Sequence, residues 1–145
     1  MRPSQPSLIC LPMLMLLGFT AACAGTAGSP AESGSVSGTV AYRERMTLPP
    51  DAEVRVQLSD VSRPDAAATV IAETRVAPEG RQVPLPFELR HDPAKIDPGH
   101  SYAVRATIRA GGRLLFTTEV AHHVITRGNP DRVALMLVRV SGTGE

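Results

Sequence analysis

The 145-residue chain carries 15 Lys and Arg against 14 Asp and Glu, and only 3% of its residues are aromatic. That balance gives neither the basic face that a phosphate backbone demands nor the rings on which bases stack, so nucleic acid is excluded as a partner. Two cysteines, both near the start, cannot staple a disulfide scaffold.

The first element is an apolar leader. Leu8 to Phe19 is mostly apolar but is interrupted by Pro12 and Gly18. It falls short of the roughly 20 residues that a membrane-crossing helix needs. Arg2 supplies a positive start, and Thr20-Ala21-Ala22 sets small residues before Cys23. This arrangement looks like a bacterial lipoprotein signal, a secretory leader cut before a cysteine that receives lipid. Residues 1–22 are then the signal peptide. Cys10 leaves with it, and Cys23 becomes the one thiol of an exported chain, unable to form an internal disulfide. A thioether to diacylglycerol, with an N-acyl chain on the new amino terminus, accounts for that lone cysteine. Each buried methylene adds about 0.8 kcal/mol, and more than one chain is needed for stable anchoring. The alternative is ordinary secretory cleavage near Ala22 or Ala27. Residues 23–35 continue as the lipidated Cys23 and a tether of Gly, Ala, Ser, Thr and Pro with a single Glu32. Such a tether averages roughly 20 Å end to end.

From residue 36 to 140 the pattern has period two and reads as strands. Val36 to Tyr42, Val54 to Leu58, Val70 to Val76, Val83 to Leu89, Tyr102 to Ile108, Leu114 to Val120, His123 to Ile125 and Val133 to Val140 are the candidates. Gly111-Gly112 reads as a hairpin turn. No stretch after the leader shows a helical stripe. About seven to eight short strands predict an all-β sandwich or barrel; the connections near residues 44–52 and 91–100 are long enough to cross between sheets and favour the sandwich, with residues 141–145 as a disordered tail. Pro84 and Pro86 lie two apart, so both missing N–H groups fall on one side of their strand. That predicts an edge strand with its proline side outward, the alternative being an extended polyproline-like loop with the apolar side chains tucked under it. Such an edge strand protects against edge-to-edge pairing and leaves strand addition to another edge.

No catalytic constellation emerges. Ser59, Ser62 and Ser101 lack a nucleophile-elbow setting. Asp92-Pro93 and Asp97-Pro98 read as turn formers. Gly111-Gly112 joins strands and does not cradle a phosphate. His91, His100 and His122 are weak metal candidates, because nothing in their spacing brings them together, and adjacent His122 and His123 point to opposite faces of a strand. The expectation is no enzyme, no metal and no cofactor beyond the lipid on Cys23. Arg43-Glu44-Arg45, followed by Leu48-Pro49-Pro50, is the candidate partner-binding surface. The plain alternative is a solvated loop whose ion pair contributes little.

The stretch Val36-Ser37-Gly38-Thr39-Val40-Ala41-Tyr42-Arg43-Glu44-Arg45, with Leu48-Pro49-Pro50 and Val54 to Ser62, resembles the opening of YbaY-type lipoproteins. Val70-Ile71-Ala72-Glu73, Val83-Pro84-Leu85-Pro86-Phe87, Tyr102 to Ala106, Gly112 to Thr118 and Thr126 to Pro130 extend the resemblance over nearly the whole domain. That family is related to YscW-type lipoproteins, which pilot the secretin ring of type III secretion systems. The resemblance implies an immunoglobulin-like sandwich, a lipid anchor in the membrane, and a secretin-like or other outer-membrane protein as partner. Ala24 stands where Asp would favour inner-membrane retention, which directs the chain to the periplasmic face of the outer membrane. The expected function is a non-enzymatic chaperone or pilot-like module. The competing expectations are a small-ligand or metal-binding envelope stress lipoprotein, and an accessory structural domain.

Overall fold

The computed structural model describes residues 33–141. Cys23, the leader and most of the tether lie outside the described residues, as does the tail from residue 142. Among the described residues the chain forms eight strands: β1 (Gly34–Tyr42), β2 (Glu53–Asp60), β3 (Thr69–Val76), β4 (Leu85–His91), β5 (Tyr102–Ala110), β6 (Arg113–Thr118), β7 (His122–Val124) and β8 (Arg132–Arg139). A single 3₁₀ turn, Pro93–Lys95, follows β4; the carboxylate of Asp92 caps it by accepting from the Ala94 N–H. β1 begins at Gly34, so Gly34 and Ser35 belong to the sheet although their composition reads as tether.

Alternation decides which face each strand buries. In β4, Leu85, Phe87, Leu89 and His91 are buried while Pro86, Glu88 and Arg90 are exposed. Val54, Val56 and Leu58 of β2 and Tyr102, Val104, Ala106 and Ile108 of β5 line the same interior. Burying each such aliphatic side chain contributes about 1.5–3 kcal/mol. Phe116 stacks on Tyr42 with ring centroids 4.3 Å apart, and the Tyr42 hydroxyl donates to the Met46 carbonyl at 2.8 Å. The aromatic ring therefore stays in the core while its polar tip is satisfied. Gly111 and Gly112 both take positive φ in the two-residue link between β5 and β6, as a tight hairpin of this hand requires.

The all-β expectation matches the structure, but the two-sheet sandwich does not describe its hydrogen bonding. The strands follow one continuous path, β3-β2-β5-β6-β8-β1-β4, with β7 attached to β5. β1 and β8 pair in parallel, and the other ladders are antiparallel. The two end strands, β3 and β4, pack side by side without a ladder. The result is one strongly curled sheet, a nearly closed barrel.

Pro86 removes one of the donors that a β3–β4 ladder would use. Ser37 donates its N–H to the Asp131 carbonyl at 3.0 Å, toward β8. Its partner in β4, Glu88, is thus a non-hydrogen-bonded pair, and the alternation carries the same orientation to Pro86. The N–H that Pro86 lacks would face β3. β4 is an end strand, as expected, yet its proline side faces the seam with β3 rather than open solvent.

Candidate functional site

β6 and β7 both pair with β5, and the segment Glu119 to Ala121 interrupts them. β8 pairs with β6 only from Leu137 to Arg139 and forms no ladder with β7. The chain therefore opens where β8 parts from the interrupted strand. A groove of about 320 Å³ occupies that opening.

Leu137 forms the buried floor, and Val120, Met136 and Val138 form apolar walls. Val120 is 64% exposed, Met136 45% and Val138 39%, so three of the four large apolar side chains left exposed among the described residues meet at this one place. Clustered apolar exposure marks an interaction surface, whereas scattered exposure is ordinary. Arg43, Glu44, Glu119 and His122 form the polar rim. The Glu44 Oε2 is buried and has no hydrogen-bond partner. The neighbouring Tyr42 phenol is raised above its ordinary pKa, chiefly by burial and then by the charge of Glu44.

Two of the three residues singled out at the end of β1, Arg43 and Glu44, line this groove; Arg45 is exposed and takes no part in it. The three candidate histidines go to three different places. His122 is at the groove, His91 is buried at the β3–β4 seam, and His100 pairs with Asp60. Among the described residues no three metal-ligating side chains gather. Cys23 lies outside the described residues.

A polar cluster that spacing alone did not reveal sits at the far end of the barrel. His100 Nδ1 lies 2.7 Å from Asp60 Oδ2, while Asp60 Oδ1 accepts the Ser62 hydroxyl at 2.6 Å and the Ser62 N–H at 2.9 Å. The Ser101 N–H donates to the Ser62 hydroxyl at 2.8 Å. Serine, aspartate and histidine are all present, but their order does not make a nucleophile. Ser62 gives its proton to the carboxylate and not to an imidazole base, which is the contact that activation requires. The cluster joins the end of β2 to the start of β5. Its only local sequence sign is the Asp60-Val61-Ser62 turn spacing.

This small all-β domain has counterparts among known proteins. Residues 31–137 match the family described as type III secretion system lipoprotein chaperone (YscW). The chain is 39% identical over 109 residues to the uncharacterized lipoprotein YbaY of Escherichia coli strain K12; the match covers 75% of this chain and 57% of that relative, so the chain spans little more than half its length. A solved structure, an alternative pilotin from the type II secretion system of Vibrio cholerae, superposes with a TM-score of 0.74 at 46% identity, covering 77% of this chain and all of that one. The protein belongs to the YscW family of secretion-system lipoprotein chaperones. Within it, the chain is a lipoprotein of the YbaY/YscW type.

Proposed function

We propose that this protein is a non-enzymatic, pilot-like chaperone of the cell envelope. In this reading it is anchored through lipid on Cys23 to the periplasmic face of the outer membrane and holds a segment of a secretin-like outer-membrane protein. The observation that carries the reading is the groove, where Val120, Met136 and Val138 are exposed together beside Arg43 and Glu44. The pilotin relative, at 46% identity, supports it. An apolar stripe of a partner segment would cover the three side chains. A basic residue on that segment would satisfy the buried Glu44 oxygen, which otherwise bears an uncompensated desolvation cost.

The test is site-specific photocrosslinking in intact cells with the crosslinker at Val138, and a second form with it at Arg113 on the β5–β6 hairpin, outside the groove lining. Capture of one outer-membrane protein from Val138, absent from Arg113 and lost in Cys23→Ala, is the expected result. Equal capture of abundant envelope proteins from both positions would sink the groove as a docking site. It would favour a ligand-binding or accessory role.

A further inference from the structure

At the opposite end of β1 from the groove, the unpaired edges of the sheet leave a cleft of about 440 Å³ between β3 and β4. Ile71 and Ala72 form its apolar wall. Arg90, His91 and Lys95 face it from the other side, and Ser33, where the chain enters the described domain, is part of the lining. Arg90 shares the outward orientation of Glu88 and Pro86, so its N–H points into the seam, where no ladder receives it. His91 is 9% exposed, and its buried Nδ1 has no partner. The ring lies against Gly34, where a Cβ would collide with it. A buried polar atom left unpaired is uncommon and calls for an explanation.

The charges of this cleft are also available. Arg90 is bound only to Glu88, at 3.3 Å, with both side chains well exposed, a pairing that contributes little. Lys95 makes no ion pair among the described residues. Asp92 is the one carboxylate in the lining, and it is engaged in capping the Ala94 N–H at 2.9 Å. An arginine fork, an ammonium group and a free main-chain N–H together suit a phosphate oxygen cluster, with the buried His91 imidazole beneath them on the opposite face of β4.

We propose that this cleft binds the phosphodiester headgroup of an anionic phospholipid in the membrane to which the chain is tethered. The inference rests on the reading of Cys23 as the anchor. Ten residues separate Cys23 from Ser33 in the sequence, so an anchor at Cys23 would keep bilayer phosphates at high effective concentration beside the cleft. The headgroup contact would orient the domain with the tether end at the bilayer and the groove away from it.

The test uses the chain from residue 23 onward with Cys23→Ser, which retains the described core, Val36 to Leu137. It is sedimented with vesicles of phosphatidylethanolamine and phosphatidylglycerol, or of phosphatidylcholine alone. Binding to the anionic vesicles is expected, weakened about 5-fold by either Arg90→Gln or Lys95→Gln and ~25-fold by both. Arg109→Gln with Arg113→Gln removes equal charge from the far end of β5 and should leave binding unchanged. Equal binding to both vesicle types, or equal losses from both variant pairs, would overturn the proposal. Binding of inorganic phosphate without binding of vesicles would also overturn it, reassigning the cleft to a free anion. Because this chain has no lipid, its failure leaves the Cys23 reading standing; that reading is tested separately by membrane attachment of full-length Cys23→Ala.

Discussion

Ser62 gives Asp60 both its hydroxyl and its amide hydrogen, and these two bonds, ahead of the His100 imidazole, hold the Asp60 carboxyl below its ordinary pKa. A carboxyl depressed in the folded state adds stability above its unfolded pKa, near 3.9. That stability is lost as pH falls through the lower folded value. Asp60→Asn should therefore cost about 1 kcal/mol at neutral pH, on the scale of a hydrogen bond to a charged group at a partly exposed site. Urea titrations across pH should show wild type and variant converging on the acid side; a gap that stays constant through acid would refute the linkage. A second residue-scale expectation concerns Gly38. A Cβ there would meet the Val133 carbonyl in the facing strand, whereas at Gly80 it would meet open space. Gly38→Ala should cost at least ~2 kcal/mol because the parallel β1–β8 pair must separate. Gly80→Ala should cost about 1 kcal/mol for its positive φ alone. Thermal denaturation of the two variants gives the comparison.

At the scale of elements, the strands were legible in the sequence because each has one wet and one dry face. Period two in β1, β2, β4 and β5 names both the strand and its buried side chains. Two features were not legible for the same physical reason: they depend on which strands become neighbours. Two facing sheets and one curled sheet need the same alternation within a strand, and only the long-range β1–β8 and β1–β4 pairings choose between them. The groove was half legible. Arg43 and Glu44 stood out as charges closing a strand, but Val120 and Met136 did not. The missed sign is the run Val133-Ala134-Leu135-Met136-Leu137-Val138, apolar on both faces, which is typical of a strand covered on both sides; in β8 the outer side is bare. The edge assignment of β4 makes its own prediction. Glu88→Pro removes an N–H that no ladder uses and should cost within about 1 kcal/mol. Thr107→Pro, in β5 between β2 and β6, should cost about 3 kcal/mol or more. Similar losses at both positions, measured by denaturant midpoint, would mean that β3 and β4 share a ladder in solution.

Across the whole molecule, β1 sets a polarity. Its nine residues run from Gly34, where the chain enters the sheet, to Tyr42, beside the groove; at about 3.3 Å per residue that is roughly 26 Å. The groove therefore lies on the order of one strand length from Gly34, on a core that does not include Cys23. Anchoring and folding should then be separable. Cys23→Ala should leave the thermal midpoint of the domain unchanged, because the described core lies between Val36 and Leu137. The same change should release the protein from membranes washed in high salt, which screens any headgroup contact of the domain and leaves acyl chains on Cys23 as what the wild type would be retained by. Met136→Asp is the mirror experiment. It places a charge on the exposed wall of the groove, should stay within ~0.5 kcal/mol of wild-type stability as an outer-face substitution, and should keep the protein in the membrane while abolishing partner capture. Fractionation, thermal melts and crosslinking on these two variants therefore separate address, fold and recognition. If Met136→Asp captured its partner normally, recognition would have to lie elsewhere on the barrel; if Cys23→Ala stayed in the pellet, attachment would have to come from the domain itself.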